Sequence, residues 1–136
     1  MELNDIAIDA NRFEQGAWVD HIPEMGDLRL KVRGVGNADY RKLQARLIDA
    51  LPRAKKQGGK IDPEELDRIT ATCLLETVLL DWDGIMINGK PAPYSKEQAK
   101  ELLISPKWRR FRDAVAWAAS IVADEGALGI EDDAKN

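Results

Sequence analysis

Residues 82–95 constrain the fold most, because they interrupt two helical patterns with residues that destabilise a helix interior. The segment contains two glycines, two prolines, two aromatic residues and a serine able to cap a following helix. Asn88-Gly89 predicts a tight hairpin turn, and the prolines at 91 and 93 restrict any hairpin to a sheet edge. We interpret the segment as a structural joint, defined by Trp82, Asp83, Gly84, Gly89, Pro91, Tyr94 and Ser95.

Apolar and basic residues alternate over residues 28–33, upstream of the joint. A period of two predicts a half-buried strand that directs Leu28, Leu30 and Val32 toward the core. Residues 17–22 are rich in apolar and β-branched types, and a turn cluster at 23–27 separates the two runs. We therefore expect a β-hairpin or small antiparallel sheet within residues 1–36, with residues 1–14 forming a short strand or a loose arm.

Four helical patterns follow the predicted strands. Apolar residues recur at helical spacing over residues 38–51, after a cap at Asn37 or Asp39. Asp62-Pro63-Glu64-Glu65 begins a helix to about residue 81, and capping patterns predict two more helices, over 95–104 and 105–124. The last helix has an apolar stripe, formed by Trp108, Phe111, Val115, Ala118, Ala119 and Val122. The predicted fold class is α+β, mainly α, with a bundle of about four helices after the sheet. We expect a single domain over residues 1–126, a β-rich part at 1–36, a helical part at 37–126 and a flexible acidic tail at 127–136.

The net charge of −4 is unevenly distributed along the chain. Residues 37–60 hold seven bases and two acids, a balance of +5, whereas residues 61–106 hold four bases and nine acids, a balance of −5. Such alternation favours docking of oppositely charged surfaces over nucleic-acid binding. The chain has no long apolar run and begins with an acidic segment unlike a signal sequence. We therefore expect a soluble cytoplasmic protein that binds neither nucleic acid nor membrane.

Residue types that carry chemistry are sparse in this chain. The single cysteine, Cys73, and the single histidine, His21, provide neither an internal disulfide nor a His/Cys zinc site. Asp81-x-Asp83-Gly84 resembles the start of a calcium loop, but apolar residues occupy the later positions that need a ligand, a glycine and a glutamate. The paired carboxylates have no histidine beside them. We predict no catalytic residue, no metal site and no cofactor, hence a protein that is not an enzyme.

The best candidate for a functional surface is the start of the last helix, where cations cluster beside aromatic residues. Such a cluster can grip phosphate, can form the solvated face of a helix or can dock another protein. Aromatic residues beside arginines are enriched in protein–protein hot spots, and Trp117 is expected to be partly exposed. We assign protein binding to Trp108, Arg109, Arg110, Arg112 and Trp117.

The order of elements around the joint resembles the tail assembly chaperones of long-tailed bacteriophages and prophages. The resemblance covers roughly residues 62–122 and is carried by Trp82, Asp83, Gly84, Ile85, Gly89, Pro91, Tyr94, Ser95, Glu97, Leu102 and Leu103. It implies a factor without catalysis that coats the tape-measure protein before the tail tube forms around it, and that also contacts tail tube subunits. Such a factor acts in the cytoplasm of the bacterial host and is absent from the mature virion. The resemblance is compatible with a monomer or a homo-oligomer.

Two other classes of function remain as alternatives. One is a phage structural adaptor, such as a tail terminator or a head–tail connector component, which is retained in the virion. The other is a small nucleic-acid-binding regulator that uses Arg109, Arg110 and Arg112, and whose binding would fall steeply with salt.

Overall fold

The computed structural model describes residues 1–7 and 9–124. Five α-helices are present in these ranges: α1 (Ala10–Gln15), α2 (Ala38–Asp49), α3 (Pro63–Thr77), α4 (Lys96–Ile104) and α5 (Arg109–Asp124). The strands there are β1 (Ala17–Val19), β2 (Arg29–Val32), β3 (Leu79–Asp83), β4 (Met86–Ile87) and β5 (Lys90–Pro91). Short 3-10 turns occur at Leu3–Ile6, Arg53–Lys55, Gln57–Gly59 and Pro106–Trp108. The predicted fold class, α+β and mainly α, is confirmed.

The main sheet has the order β1-β2-β3 and is antiparallel throughout. The alternation seen in the sequence places Leu30 and Val32 on its covered face, where neither side chain is exposed to solvent, and Leu28 is buried just before the strand. Helix α5 packs on β1 and β2 from this side. Burial of each such aliphatic side chain stabilises the fold by about 1.5–3 kcal/mol, so the strand pattern and the helix stripe specify one shared core.

The prediction that α3 continues to about residue 81 is wrong. The helix ends at Thr77, and Leu79–Asp83 pairs with β2 as the third strand. Asn37, which is fully buried, helps to end the helix at Thr77. Its amide Nδ2 donates to the Thr77 carbonyl over 2.9 Å, and its Oδ1 accepts from the Tyr40 backbone N–H. One side chain thus satisfies the last turn of α3 and caps the first turn of α2.

Consequently, part of the sheet lies within the segment predicted to be helical. Leu79 and Trp82 face the core, whereas Leu80 is exposed, which is a strand pattern with an irregularity. The irregularity coincides with a register shift beside Lys31 and Val32. A sheet built from residues 17–32 and 79–83 therefore ties the two parts of the predicted domain together.

The expectation of a strand or loose arm over residues 1–14 is also wrong. A 3-10 turn at Leu3–Ile6 precedes α1, whose first turn is capped by Asp9 through the backbone N–H groups of Asn11 and Arg12. At the other end, the Phe13 carbonyl accepts a 2.9 Å hydrogen bond from the Gly34 N–H. The helix forms because a local cap and this distant partner satisfy its backbone groups.

Several local predictions are confirmed. Asn37 caps α2, Asp62 accepts from the Glu64 N–H at the start of α3, and Ser95 accepts from the Gln98 N–H at the start of α4. The predicted tail at 127–136 lies outside the described residues. Within the described ranges, no helix has the length and apolar character that crossing a bilayer requires.

Candidate protein-docking groove

Trp82 is the centre of the joint and lies on β3, where it is only 4% exposed. Its ring meets Tyr94 edge-on at a centroid distance of 5.0 Å and Phe111 of α5 at 5.9 Å. The indole Nε1–H donates to the Ala92 carbonyl over 2.8 Å. Burial raises the pKa of the Tyr94 phenol, and Lys96 opposes that shift. The joint is therefore a packed aromatic cluster that connects the sheet to α5.

The predicted hairpin is present and short. β4 and β5 pair with Met86 opposite Pro91 and Ile87 opposite Lys90. Asn88 and Gly89 both have positive φ angles, 52° and 77°, as the tightest two-residue turn requires. Met86 and Ile87 are exposed, so the hairpin extends from the body of the protein with apolar side chains in solvent.

Gly84 brings the joint against the turn that connects β1 to β2. Its φ is 91°, and a Cβ at this position would lie 2.6 Å from the Asp27 carbonyl oxygen. The turn itself is tight, because the Met25 N–H donates to the Ile22 carbonyl and Glu24 and Gly26 have positive φ angles. Only glycine allows the two loops to come this close.

Two adjoining cavities lie between this turn and the first half of α5. One has a volume of about 410 Å³ and the other about 240 Å³, and they share Glu24, Met25 and Arg110. The larger is lined also by Leu28, Gly84, Ile85, Leu102, Lys107, Trp108 and Phe111, and the smaller by Ile22, Pro23, Asp113, Ala114 and Trp117. We call the two cavities together the α5 groove. Its floor is mainly apolar and its charged groups lie on α5 and the β1–β2 turn.

The structure brings three of the five predicted protein-binding residues to this groove: Trp108, Arg110 and Trp117. Trp108 is 37% exposed and has the Lys107 ammonium 4.9 Å from its ring, although the helical stripe predicted it to pack with the buried residues of α5. Trp117 is partly exposed, as its position on the helix predicts.

Arg109 and Arg112 lie elsewhere, around a cavity of about 130 Å³ between α3 and the α4–α5 connection. Arg112 donates to Asp67 of α3 over 2.7 Å. That hydrogen bond is the main reason why the pKa of Asp67 lies below its ordinary value, with the charges of Arg112 and Arg109 adding to it. The arginine cluster that looks continuous in the sequence is thus divided between two sides of α5, because consecutive helical residues point 100° apart.

Sequence reasoning missed Glu24, Met25 and Ile85 as members of the groove. The available signal was the Pro23–Asp27 turn cluster, which predicts a turn but not its contact with α5. That contact exists because the sheet holds the turn beside the joint and α5. A turn that is unremarkable in sequence therefore forms a wall of the groove.

The other chemical candidates occupy ordinary positions. Cys73 is buried, and burial raises the pKa of its thiol, which keeps it protonated. His21 is exposed in the loop after β1, with a φ of 52°, instead of on the strand expected from the sequence. Asp83 pairs with Arg29 across the sheet at 3.8 Å. In the part of the chain that the structure describes, no group of three His, Cys, Asp or Glu residues is arranged to hold a metal ion.

A family model described as YdaY prophage protein matches residues 35–136. The match includes α2–α5, the joint and the α5 side of the groove, and it begins after β1 and β2. No curated protein and no solved structure matches the chain. Since the family model covers well over half of the sequence, the chain belongs to the YdaY prophage protein family.

Proposed function

We propose that this prophage protein is a tail assembly chaperone that binds the tape-measure protein, and tail tube subunits, without catalysing a reaction. In this proposal it acts in the host cytoplasm and leaves before the virion is complete. The observation that supports it most directly is the α5 groove, an apolar channel bordered by two partly exposed tryptophans and an arginine. Membership of a prophage family is consistent with a role in phage assembly.

The residues of the groove suit protein recognition. Tryptophan and arginine are the residue types most enriched among interface hot spots, and they act when the partner shields them from water. Trp108 and Trp117 have surface still to bury, and Met25 between them has a flexible side chain that adapts to different apolar surfaces. A groove of this kind accepts one apolar face of a helix.

The expected partner fits that mode of binding. A tape-measure protein is long and helical, as the family resemblance implies, and its apolar stripes stay exposed until the tube encloses it. Many weak contacts along such a protein would cover the stripes and still allow displacement by tube subunits. A single groove of modest size provides a contact of that strength, because small interfaces belong to transient complexes.

Co-expression with the tape-measure protein of the same prophage tests the proposal. We expect the wild-type chain to keep the tape-measure protein soluble and to co-purify with it, and Trp108→Ala to reduce recovery about tenfold or more, the loss expected for a hot spot. Trp18→Ala is the matched control, because Trp18 is 39% exposed but lies on the sheet beside Arg29. Absence of co-purification at low salt, or equal loss in both variants, would reject the proposal.

Mass spectrometry of purified particles distinguishes the structural adaptor. An adaptor stays in the virion in a fixed number of copies, whereas a chaperone is lost. We expect no peptides of this chain in mature particles. Their stoichiometric presence would favour a tail terminator or head–tail connector component over a chaperone.

A further inference from the structure

We infer that the α5 groove recognises an amphipathic helix with a defined direction, its acidic end beside Trp108 and its basic end beside Trp117. This inference rests on the proposed function in one respect, since it describes the partner of the same site. It adds the chemistry of that partner and the direction in which it lies. The reason is that the charged groups of the groove are unequal at its two ends.

The end near Trp108 is positive. Lys107 and Arg110 line the larger cavity there, opposed by Glu24 alone. The same end coincides with the start of α5, where the aligned peptide dipoles of the helix add partial positive charge. Carboxylates of a bound segment are therefore attracted to this end.

The end near Trp117 has the opposite balance. Glu24 and Asp113 line the smaller cavity and are opposed by Arg110. Asp113 lies one turn of α5 beyond Arg110, on the same side of the helix. Cationic side chains of a bound segment are attracted here, and carboxylates are repelled.

In the described part of the chain, the charged groups of the groove are not held in salt bridges. Among the described residues, Glu24, Lys107, Arg110 and Asp113 form no ion pair, in contrast to Arg112, which is paired with Asp67. Their side chains border an apolar floor, where a bound helix would exclude water and strengthen charge interactions. A partner can therefore pair with these groups without first breaking a salt bridge; Lys107 lies over the Trp108 ring, and Asp113 adds to the negative charge near Arg112.

The dimensions of the groove suit a short helix. Trp108 and Trp117 are nine residues apart in the sequence, which corresponds to about 13 Å along α5. A helix of between two and three turns spans that distance. Its apolar stripe would contact Met25, Phe111 and Ala114, which line the floor between the tryptophans. Long side chains on its flanks would reach the charged groups.

An amphipathic peptide of about 14 residues, enough to cover the groove at 1.5 Å per residue, is the probe. One half carries glutamates, the other half carries lysines, and a leucine stripe runs along both. A nitroxide label is attached to the acidic end in one preparation and to the basic end in another. The indole N–H signals of the full-length protein are assigned with single Trp→Phe variants and observed by NMR.

We expect the label on the acidic end to broaden the Trp108 signal, and the label on the basic end to broaden the Trp117 signal. The signal of Trp18, on the sheet, should be unaffected by either label. Equal broadening of Trp108 and Trp117 by both labels, preferential broadening of Trp18, or no binding of the peptide would each overturn the inference.

Charge reversal provides the second arm of the test. The double variant Lys107→Glu/Arg110→Glu should weaken the peptide by about tenfold or more and remove its directional preference, since nearby charge pairs contribute at least this much. Arg41→Glu/Lys42→Glu makes the same change in net charge on the exposed face of α2 and should change the affinity less than twofold. Similar losses in both variants would show a non-specific charge effect and reject the inference.

Two competing occupants are separated by further measurements. Sedimentation of the wild-type chain without peptide should show no self-association through the groove. Self-association that the Trp108→Ala variant loses would mean that a second copy fills the groove. Single-stranded DNA should not displace the peptide, and displacement would favour a nucleic acid. If the peptide binds without a preferred direction while the tape-measure protein still co-purifies, the inference fails and the proposed function stands. If the peptide binds in the expected direction but the tape-measure protein does not co-purify, only the proposed function fails.

Discussion

Trp82 and Trp108 both lie near Phe111, but the two tryptophans have different roles. The Trp82 ring packs against Phe111 at 5.9 Å and against Tyr94, and its indole N–H has a carbonyl partner. Trp108 lines a groove together with Phe111 and remains 37% exposed. The difference shows how one residue type either holds the fold together or stays available for a partner, according to whether other elements cover it.

The environments of the two residues have separate physical origins. Trp82 is covered because β3 joins the sheet and the 92–94 segment folds back over it. Trp108 lies in the 3-10 turn before α5 and lines the open groove, which leaves 37% of the residue exposed to solvent. We expect mutations in the joint to act on stability, and mutations in the groove to act on binding.

Trp82→Ala should have the largest effect on stability. Removing this buried ring leaves a cavity and an unpaired Ala92 carbonyl, and we expect a loss of about 3–5 kcal/mol in the free energy of unfolding. Urea denaturation followed by circular dichroism measures it. Trp82→Phe, which keeps an aromatic ring but loses the hydrogen bond, should cost less. A loss below about 1 kcal/mol in Trp82→Ala, too small for a core tryptophan, would contradict the comparison.

Gly84→Ala should have the next largest effect. The φ of 91° and the approach to the Asp27 carbonyl both disfavour a Cβ, so we expect a loss of about 2–3 kcal/mol, the upper range for a strained residue. Gly89→Ala is the matched control, because its φ is 77° but nothing lies near the added Cβ. Its loss should be about 1 kcal/mol. Thermal unfolding of both variants measures the difference, and equal losses would show that the contact with Asp27 is unimportant.

Trp108→Ala should destabilise the protein by only about 1–2 kcal/mol, because one side of its ring is already in water. The variant should remain folded at 25 °C, with an unchanged far-ultraviolet circular dichroism spectrum. Its loss of partner binding can then be attributed to the groove. If unfolding costs as much as in Trp82→Ala, the contrast between the two tryptophans is wrong.

Asp67→Asn should have the smallest effect. The hydrogen bond from Arg112 holds the pKa of Asp67 below its ordinary value of 3.8, and Asp67 is about half exposed. Because the folded-state pKa is lowered, this stabilisation is present above pH 3.8 and is lost as the pH falls through the folded-state value. After solvent screening we expect at most about 1 kcal/mol at neutral pH.

Denaturation of the wild type and Asp67→Asn across the acidic range checks that prediction. The difference in the free energy of unfolding between the two proteins should shrink as the pH falls below the ordinary pKa of aspartate. A difference that is unchanged in acid would show that the pair does not stabilise through its charge. Glu101→Gln, on the exposed side of α4, is a control that should show little difference at any of these pH values.

The local elements of this fold could be predicted because their causes lie within a few residues. Asn37, Asp62 and Ser95 cap helices through backbone N–H groups two or three positions away. The Asn88-Gly89 turn depends on two adjacent residues with positive φ angles. These preferences arise from hydrogen bonds and sterics that the chain carries with it in any fold.

The wrong prediction for residues 79–83 shows the effect of a partner that is distant in the chain. Leu79–Asp83 continues an apolar pattern that also fits a helix, and only pairing with β2 makes it a strand. Leu30 and Trp82 face each other across that pair but are far apart in the sequence. Local periodicity cannot distinguish a helix from a strand here, because the short apolar run of Val78, Leu79 and Leu80 fits either one.

The amino-acid sequence by itself determined the caps, the turns, the half-buried strand β2 and the apolar stripe of α5, since each follows from the spacing of neighbouring side chains. Tertiary structure alone decided that β3 completes the sheet, that the β1–β2 turn becomes a wall of the groove, and that the arginines of α5 divide between two sides. Those outcomes require segments distant in the chain to bury surface against one another, and the energy of that burial depends on which surfaces meet.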